Sequence, residues 1–111
     1  MSEKAGASIP EFAISWREPW YQVETEHQPS IQAELQREVG PLHPLWNAGA
    51  VVFARRRDCD DVAVHLADGR FAIVHLVWHG RIDQFPDEFP WTRIFDSLSS
   101  FQRAIDVDAG D

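Results

Sequence analysis

Val62-Ala63-Val64-His65-Leu66-Ala67-Asp68-Gly69-Arg70-Phe71-Ala72-Ile73-Val74-His75-Leu76-Val77-Trp78 consists of two β-rich runs joined by Asp-Gly. The dipeptide is the strongest short hairpin signal in the chain, because both central residues of a type I′ turn need positive φ. A two-residue loop at Asp68-Gly69 pairs Leu66 with Phe71, His65 with Ala72 and Val64 with Ile73. One face then carries Val62, Val64, Leu66, Phe71, Ile73 and His75, and this is the expected core side. The other carries Ala63, His65, Ala67, Arg70, Ala72, Val74, Leu76 and Trp78. Its Val74, Leu76 and Trp78 are too apolar to lie wholly in water.

Upstream, Ala50-Val51-Val52-Phe53-Ala54-Arg55 reads as a further strand. It is preceded by Leu42-His43-Pro44-Leu45-Trp46-Asn47-Ala48-Gly49, a loop that mixes turn formers with large apolar residues. Pro29 at a first-turn position, the run Ser30 to Val39 and a stop at Gly40-Pro41 satisfy the rules for a helix. Ile31, Leu35 and Val39 form its apolar stripe, with Gln32, Glu34, Gln36 and Glu38 expected to face water. Phe12 to Val23 is aromatic but interrupted by Pro19, which favours extended or irregular chain. Downstream, Trp91 to Phe95 adds a short β-type run. Asp96 to Ile105 then opens on a capping residue and spaces Leu98, Phe101 and Ile105 as a second helix.

These elements predict an α+β fold: an antiparallel meander of three to four strands with both helices packed on one face. With 111 residues, 44% of them hydrophobic, the chain is sized for one domain. The expected organisation is an arm over 1–11, a single domain over 12–105 and an acidic tail over 106–111. Eighteen acidic residues oppose ten basic ones for a net charge of −8, which disfavours nucleic acid and anionic membrane as partners. No apolar run approaches the ~18 residues of a membrane span, and no secretory h-region follows Met1. A lone Cys59 fits a reducing compartment, so a cytoplasmic location is expected.

Several side chains are candidates for chemistry. His75-x-x-x-His79 has zinc spacing on a helix, but on a strand the two lie about 13 Å apart, so neither metal nor cofactor is expected. The hairpin register sends His65 and His75 to opposite faces. Arg55-Arg56-Arg57-Asp58-Cys59-Asp60-Asp61 sets three bases beside three acids. It reads as a solvated turn, or as a site with guanidinium donors and paired carboxylates. Cys59 lacks an evident base, and no catalytic residue is assigned. Of the five tryptophans, Trp16 and Trp20 beside Arg17, together with Trp78, are the candidates for a binding surface, since Trp and Arg are enriched at interface hot spots.

His43-Pro44-Leu45-Trp46, Ala54-Arg55-Arg56, Asp58-Cys59-Asp60-Asp61-Val62, Asp68-Gly69-Arg70, Val74-His75-Leu76-Val77-Trp78-His79-Gly80 and Phe95-Asp96-Ser97-Leu98 together resemble a group of small bacterial proteins of unknown function. The resemblance covers roughly residues 16–105. It implies a stand-alone bacterial cytoplasmic protein and carries no activity, cofactor or site residue with it.

Three functions rank in order. The first is a non-enzymatic interaction domain that binds another protein, or a second copy of itself, through the second sheet face with Trp16 and Trp20. The second is a small enzyme or ligand-binding domain with its site near the Arg55-to-Asp61 loop, His43 and His75, where Arg55, Arg56, Asp58, Asp60 and Asp61 supply the polar groups. Nucleic-acid binding through the arginines ranks last.

Overall fold

In the computed structural model, which describes residues 12–41, 43–77 and 91–110, the elements follow as β1 (Trp20–Gln22), α1 (Gln28–Glu38), β2 (Val51–Arg56), β3 (Asp61–His65), β4 (Phe71–His75), β5 (Trp91–Phe95) and α2 (Leu98–Asp108). The strands form one antiparallel sheet in the order β1-β2-β3-β4-β5. The α+β class and the meander are as the sequence indicates. The strand count is five, because Trp20–Gln22 within the aromatic segment adds an edge.

The central hairpin turns through three residues, not two. Leu66 donates its N–H to the Arg70 carbonyl, Gly69 donates to Leu66, and the Arg70 N–H is taken by Asp68 Oδ1 at 3.1 Å. Gly69 has φ +93°, the left-handed residue that ends a three-residue loop. The pairing is therefore His65 with Phe71, Val64 with Ala72, Ala63 with Ile73, Val62 with Val74 and Asp61 with His75. A one-residue slip exchanges the faces of one strand relative to the other. Val62, Val64, Leu66, Ala72, Val74 and Leu76 thus share one face, and Ala63, Phe71 and Ile73 share the other. His65 and His75 lie on the same face, contrary to the two-residue reading.

Each face has its own helix, which corrects the expectation that both pack together. Ile31 and Leu35 of α1, with Val39, Leu45 and Val23, cover the Val62–Val74 face. Phe101 and Ile105 of α2 cover the other, with Phe12, Ile14 and Trp16 packed beside them. The Phe71 and Phe101 rings stack at 5.5 Å, and Phe12 meets Phe53 and Phe71 edge-on at 5.1 Å each. A bulge between Val52 and Ala54 lets Phe53 join Ala54 on the α2 side, as an inserted residue does. Ala63, Val74 and Leu76, expected to form an uncovered patch with Trp78, are each 0% exposed. Trp78 lies outside the described residues.

α1 also closes an open edge. β1 stops opposite Ala54, leaving the start of β2 paired with β3 on one side but without a strand on the other, a condition proteins usually mask. Gln32 masks it as a peptide would: its Oε1 accepts the Val52 N–H and its Nε2 donates to the Ala50 carbonyl, both at 2.8 Å. Gln28 Nε2 adds a bond to the Val52 carbonyl at 3.0 Å. Glu34 and Glu38, expected to face water, are buried. Glu34 meets Arg37, and Glu38 takes the Val77 N–H at 2.9 Å. α2 begins in a capping box between Ser97 and Ser100, which satisfies two helix-end donors reciprocally. It runs on through Asp108, so Asp106 and Asp108 belong to the helix. No helix among the described residues is long and apolar enough to cross a membrane.

Candidate functional site

The antiparallel register gathers polar side chains where β2 ends, β3 begins and β4 ends, on the α2 face. Trp20 lies opposite Arg56. Arg56 and Asp61 are the next residues beyond the Arg55–Val62 pair, and Asp61 lies opposite His75. Arg93 joins from β5, where it pairs with Ile73. Asp108 arrives from above, because Phe101, Ile105 and Asp108 follow one another along the sheet-facing stripe of α2.

Asp108 is the hub. Its Oδ2 accepts the buried Trp20 indole N–H at 2.9 Å and lies 3.3 Å from Arg56 Nη1 and 4.0 Å from Arg93 Nη2. Arg56 turns its Nε and Nη2 to the two oxygens of Asp58 at 2.7 and 3.3 Å, a fork geometry. Burial alone would lower the Arg56 pKa, but the bond to Asp58 and the charge of Asp108 outweigh it and raise it. The bond from Arg56 holds the Asp58 carboxyl below its ordinary value. Arg17 reaches Asp106 at 3.5 Å, tying the same helix end to the chain before β1.

Asp61 Oδ1 and His75 Nδ1 lie 2.7 Å apart. A carboxylate can only accept, so Nδ1 carries a proton, and in the neutral form of the ring Nε2 presents its lone pair. The Asp61 side chain is 16% exposed and that of His75 45%, so the orienting group is sheltered and the ring is open. Arg93 is the less tightly paired of the two cluster arginines, its guanidinium 5.6 Å from the centroid of the Phe95 ring. Its nearest carboxylate oxygen among the described residues is that of Asp108, its Nε is buried without a partner, and its side chain is 41% exposed.

The other sequence candidates disperse. His43 is buried on the α1 side, where its Nδ1 accepts the Leu45 N–H at 3.0 Å and its Nε2 faces Thr92 Oγ1 at 3.2 Å. It therefore supports the loop behind α1 and does not meet His75. Arg55 lies opposite Tyr21 on β1. Arg57 stacks over the Tyr21 ring at 4.4 Å and pairs with Glu18. Arg55, Arg57, Cys59 and Asp60 line an open hollow around the β2–β3 turn. Burial pushes the Cys59 thiol up, away from thiolate chemistry. Trp20 is 1% exposed and Trp16 rests 6.2 Å from Phe53, so both serve the core. Trp78 and His79 lie outside the described residues.

Sequence reasoning passed over Arg93 and Asp108. Arg93 reaches the cluster only through the β5 register, which no local pattern announces. Asp108 was legible as the continuation of the Phe101–Ile105 spacing. It also passed over Glu24, Glu26 and His27, which bring one ligand atom each within 4.8 Å of one another in the exposed turn before α1. Comparison with protein-family models, with curated proteins and with solved structures gives no match.

Proposed function

We propose that the chain is a small ligand-binding domain whose site is the α2-face cluster of Arg56, Asp61, His75, Arg93 and Asp108. One observation carries this reading: the 2.7 Å Asp61–His75 bond engages Nδ1 of a half-exposed ring and leaves Nε2 to other partners, diagonally across the sheet from an arginine whose buried Nε has no partner among the described residues. A buried orphan donor is uncommon in a folded protein and calls for a reason. A carboxylate-oriented imidazole beside a guanidinium offers one acceptor and one cation to the same small molecule.

The test is a titration of wild-type protein with a set of small polar fragments, followed through the His75 ring and Arg93 side-chain NMR signals. Binders that move both signals, and that lose affinity in Arg93→Gln and His75→Phe, support the reading. Binders indifferent to both substitutions contradict it.

Protein binding is a second reading, and its support has moved. The sheet faces are covered, but Trp46 is 47% exposed at the rim of a hollow of about 280 Å³ lined by Leu35, Val39, Leu45 and Ala50. Exposed Trp is enriched at interface hot spots. With a net charge of −8, a basic partner would associate fastest.

A further inference from the structure

The chemistry of a ligand at the α2-face cluster follows from which groups there have capacity left. This step rests on the ligand-binding reading above. Arg56 is divided between Asp58 and Asp108, and Trp20 is spent on Asp108. Asp61 is engaged by His75. Among the described residues two groups keep capacity: the Nε2 lone pair of the neutral His75 ring, an acceptor, and the Arg93 guanidinium, a donor and a positive charge held only by a 4.0 Å approach to Asp108 and by the face of Phe95. Because Arg93 pairs with Ile73 and not with His75 itself, the two are diagonal neighbours on one face. Their β-carbons stand ~7–8 Å apart, within reach of long side chains.

Charge decides between ligand classes. The cluster sets three carboxylates, Asp58, Asp61 and Asp108, against two guanidiniums, Arg56 and Arg93, in a chain of net charge −8. A simple anion would meet Arg93 against the field of the whole chain. A simple cation is favoured by that field but can use only the His75 acceptor, and it lies beside the Arg93 guanidinium without matching its charge. A molecule carrying both charges, neutral overall, avoids each cost and uses both free groups. We infer that the site takes a small zwitterion of the amino-acid class, its carboxylate on Arg93 and its ammonium donating to His75 Nε2.

The probes are β-alanine and glycine, with acetate and methylammonium as the separated halves, all at one ionic strength. Resonances of the His75 ring and the Arg93 Nε–H report the site. The expected result is that an amino acid shifts both signals and binds about tenfold or more tightly than either half. That gain should vanish in Arg93→Gln and in His75→Phe, each checked for an intact amide spectrum. Acetate binding as well as the amino acids would overturn the inference in favour of a plain anion site. Methylammonium doing so would overturn it in favour of a cation site. If neither amino acid shifts the two signals but other polar fragments do, the ligand class is wrong while the site reading stands. If no probe or fragment moves them, both fall together.

Discussion

Asp61 and His75 face each other across β3 and β4 and share one hydrogen bond of 2.7 Å between Oδ1 and Nδ1. The pair exists because the hairpin turns through three residues. With a two-residue loop His75 would stand one position out of register, and its ring would lie on the opposite face from Asp61. The connection at Gly69 therefore sets the composition of the site some six residues away.

The first prediction concerns the ring itself. In the neutral form His75 should carry its proton on Nδ1 in wild type and lose that preference in Asp61→Ala, as read from the two ring nitrogens by NMR. A wild-type ring protonated mainly at Nε2 would remove the acceptor on which the site depends.

A second prediction separates two glycines. Gly69 has positive φ but nothing within 4 Å of an added β-carbon, so Gly69→Ala should cost about 1 kcal/mol from conformation alone. At Gly49, with φ +68°, the β-carbon would stand 2.8 Å from Ala67 Cβ, so strain adds roughly 1–3 kcal/mol more. Asp68→Asn keeps an acceptor for the Arg70 N–H, and its exposed ion pair with Arg70 is worth little. Urea midpoints should rank Asp68→Asn mildest, then Gly69→Ala, then Gly49→Ala. Equal effects at the two glycines would contradict the close approach at Ala67.

Asp108 supplies a third. Asp108→Leu leaves the buried Trp20 N–H without an acceptor, at a cost of about 1–3 kcal/mol, whereas Asp108→Asn retains one and should cost less. Equilibrium unfolding of the two variants decides it. If Asn and Leu are equally mild, the end of α2 does not rest on Trp20.

Cys59 gives a fourth. Its thiol is pushed up, chiefly by burial, so at pH 8 iodoacetamide should modify it more slowly than cysteine in a short unstructured peptide. Faster modification would mean a stabilised thiolate and reopen Cys59 as a nucleophile.

How much of this was legible beforehand varies with the range of the interaction. Both helices and the strands β2 to β5 declared themselves through local periodicity and turn formers, as did the α+β class. The face assignment failed at one loop residue, although a signal was present. Val62-Ala63-Val64 and Ala72-Ile73-Val74 do not alternate with polar residues, and continuous apolar strands are those buried on both faces. Taken seriously, that run argues for a helix on each side. Gln32, Glu34 and Glu38 sit at helix positions that composition assigns to solvent, yet Gln32 and Glu38 satisfy backbone groups of β2 and of Val77, and Glu34 is buried against Arg37. Such roles depend on where a neighbouring strand ends. For the site, Asp61 and His75 were singled out individually, but their meeting is a matter of register. His43 was grouped with them by residue type, and the sheet lies between.

The most direct test of the central claim is a crystal structure of the protein soaked with a set of small polar fragments. The account predicts density on the α2 face, within hydrogen-bonding distance of His75 Nε2 and the Arg93 guanidinium. Fragments gathered instead in the hollow beside Trp46, with His75 and Arg93 untouched, would contradict it.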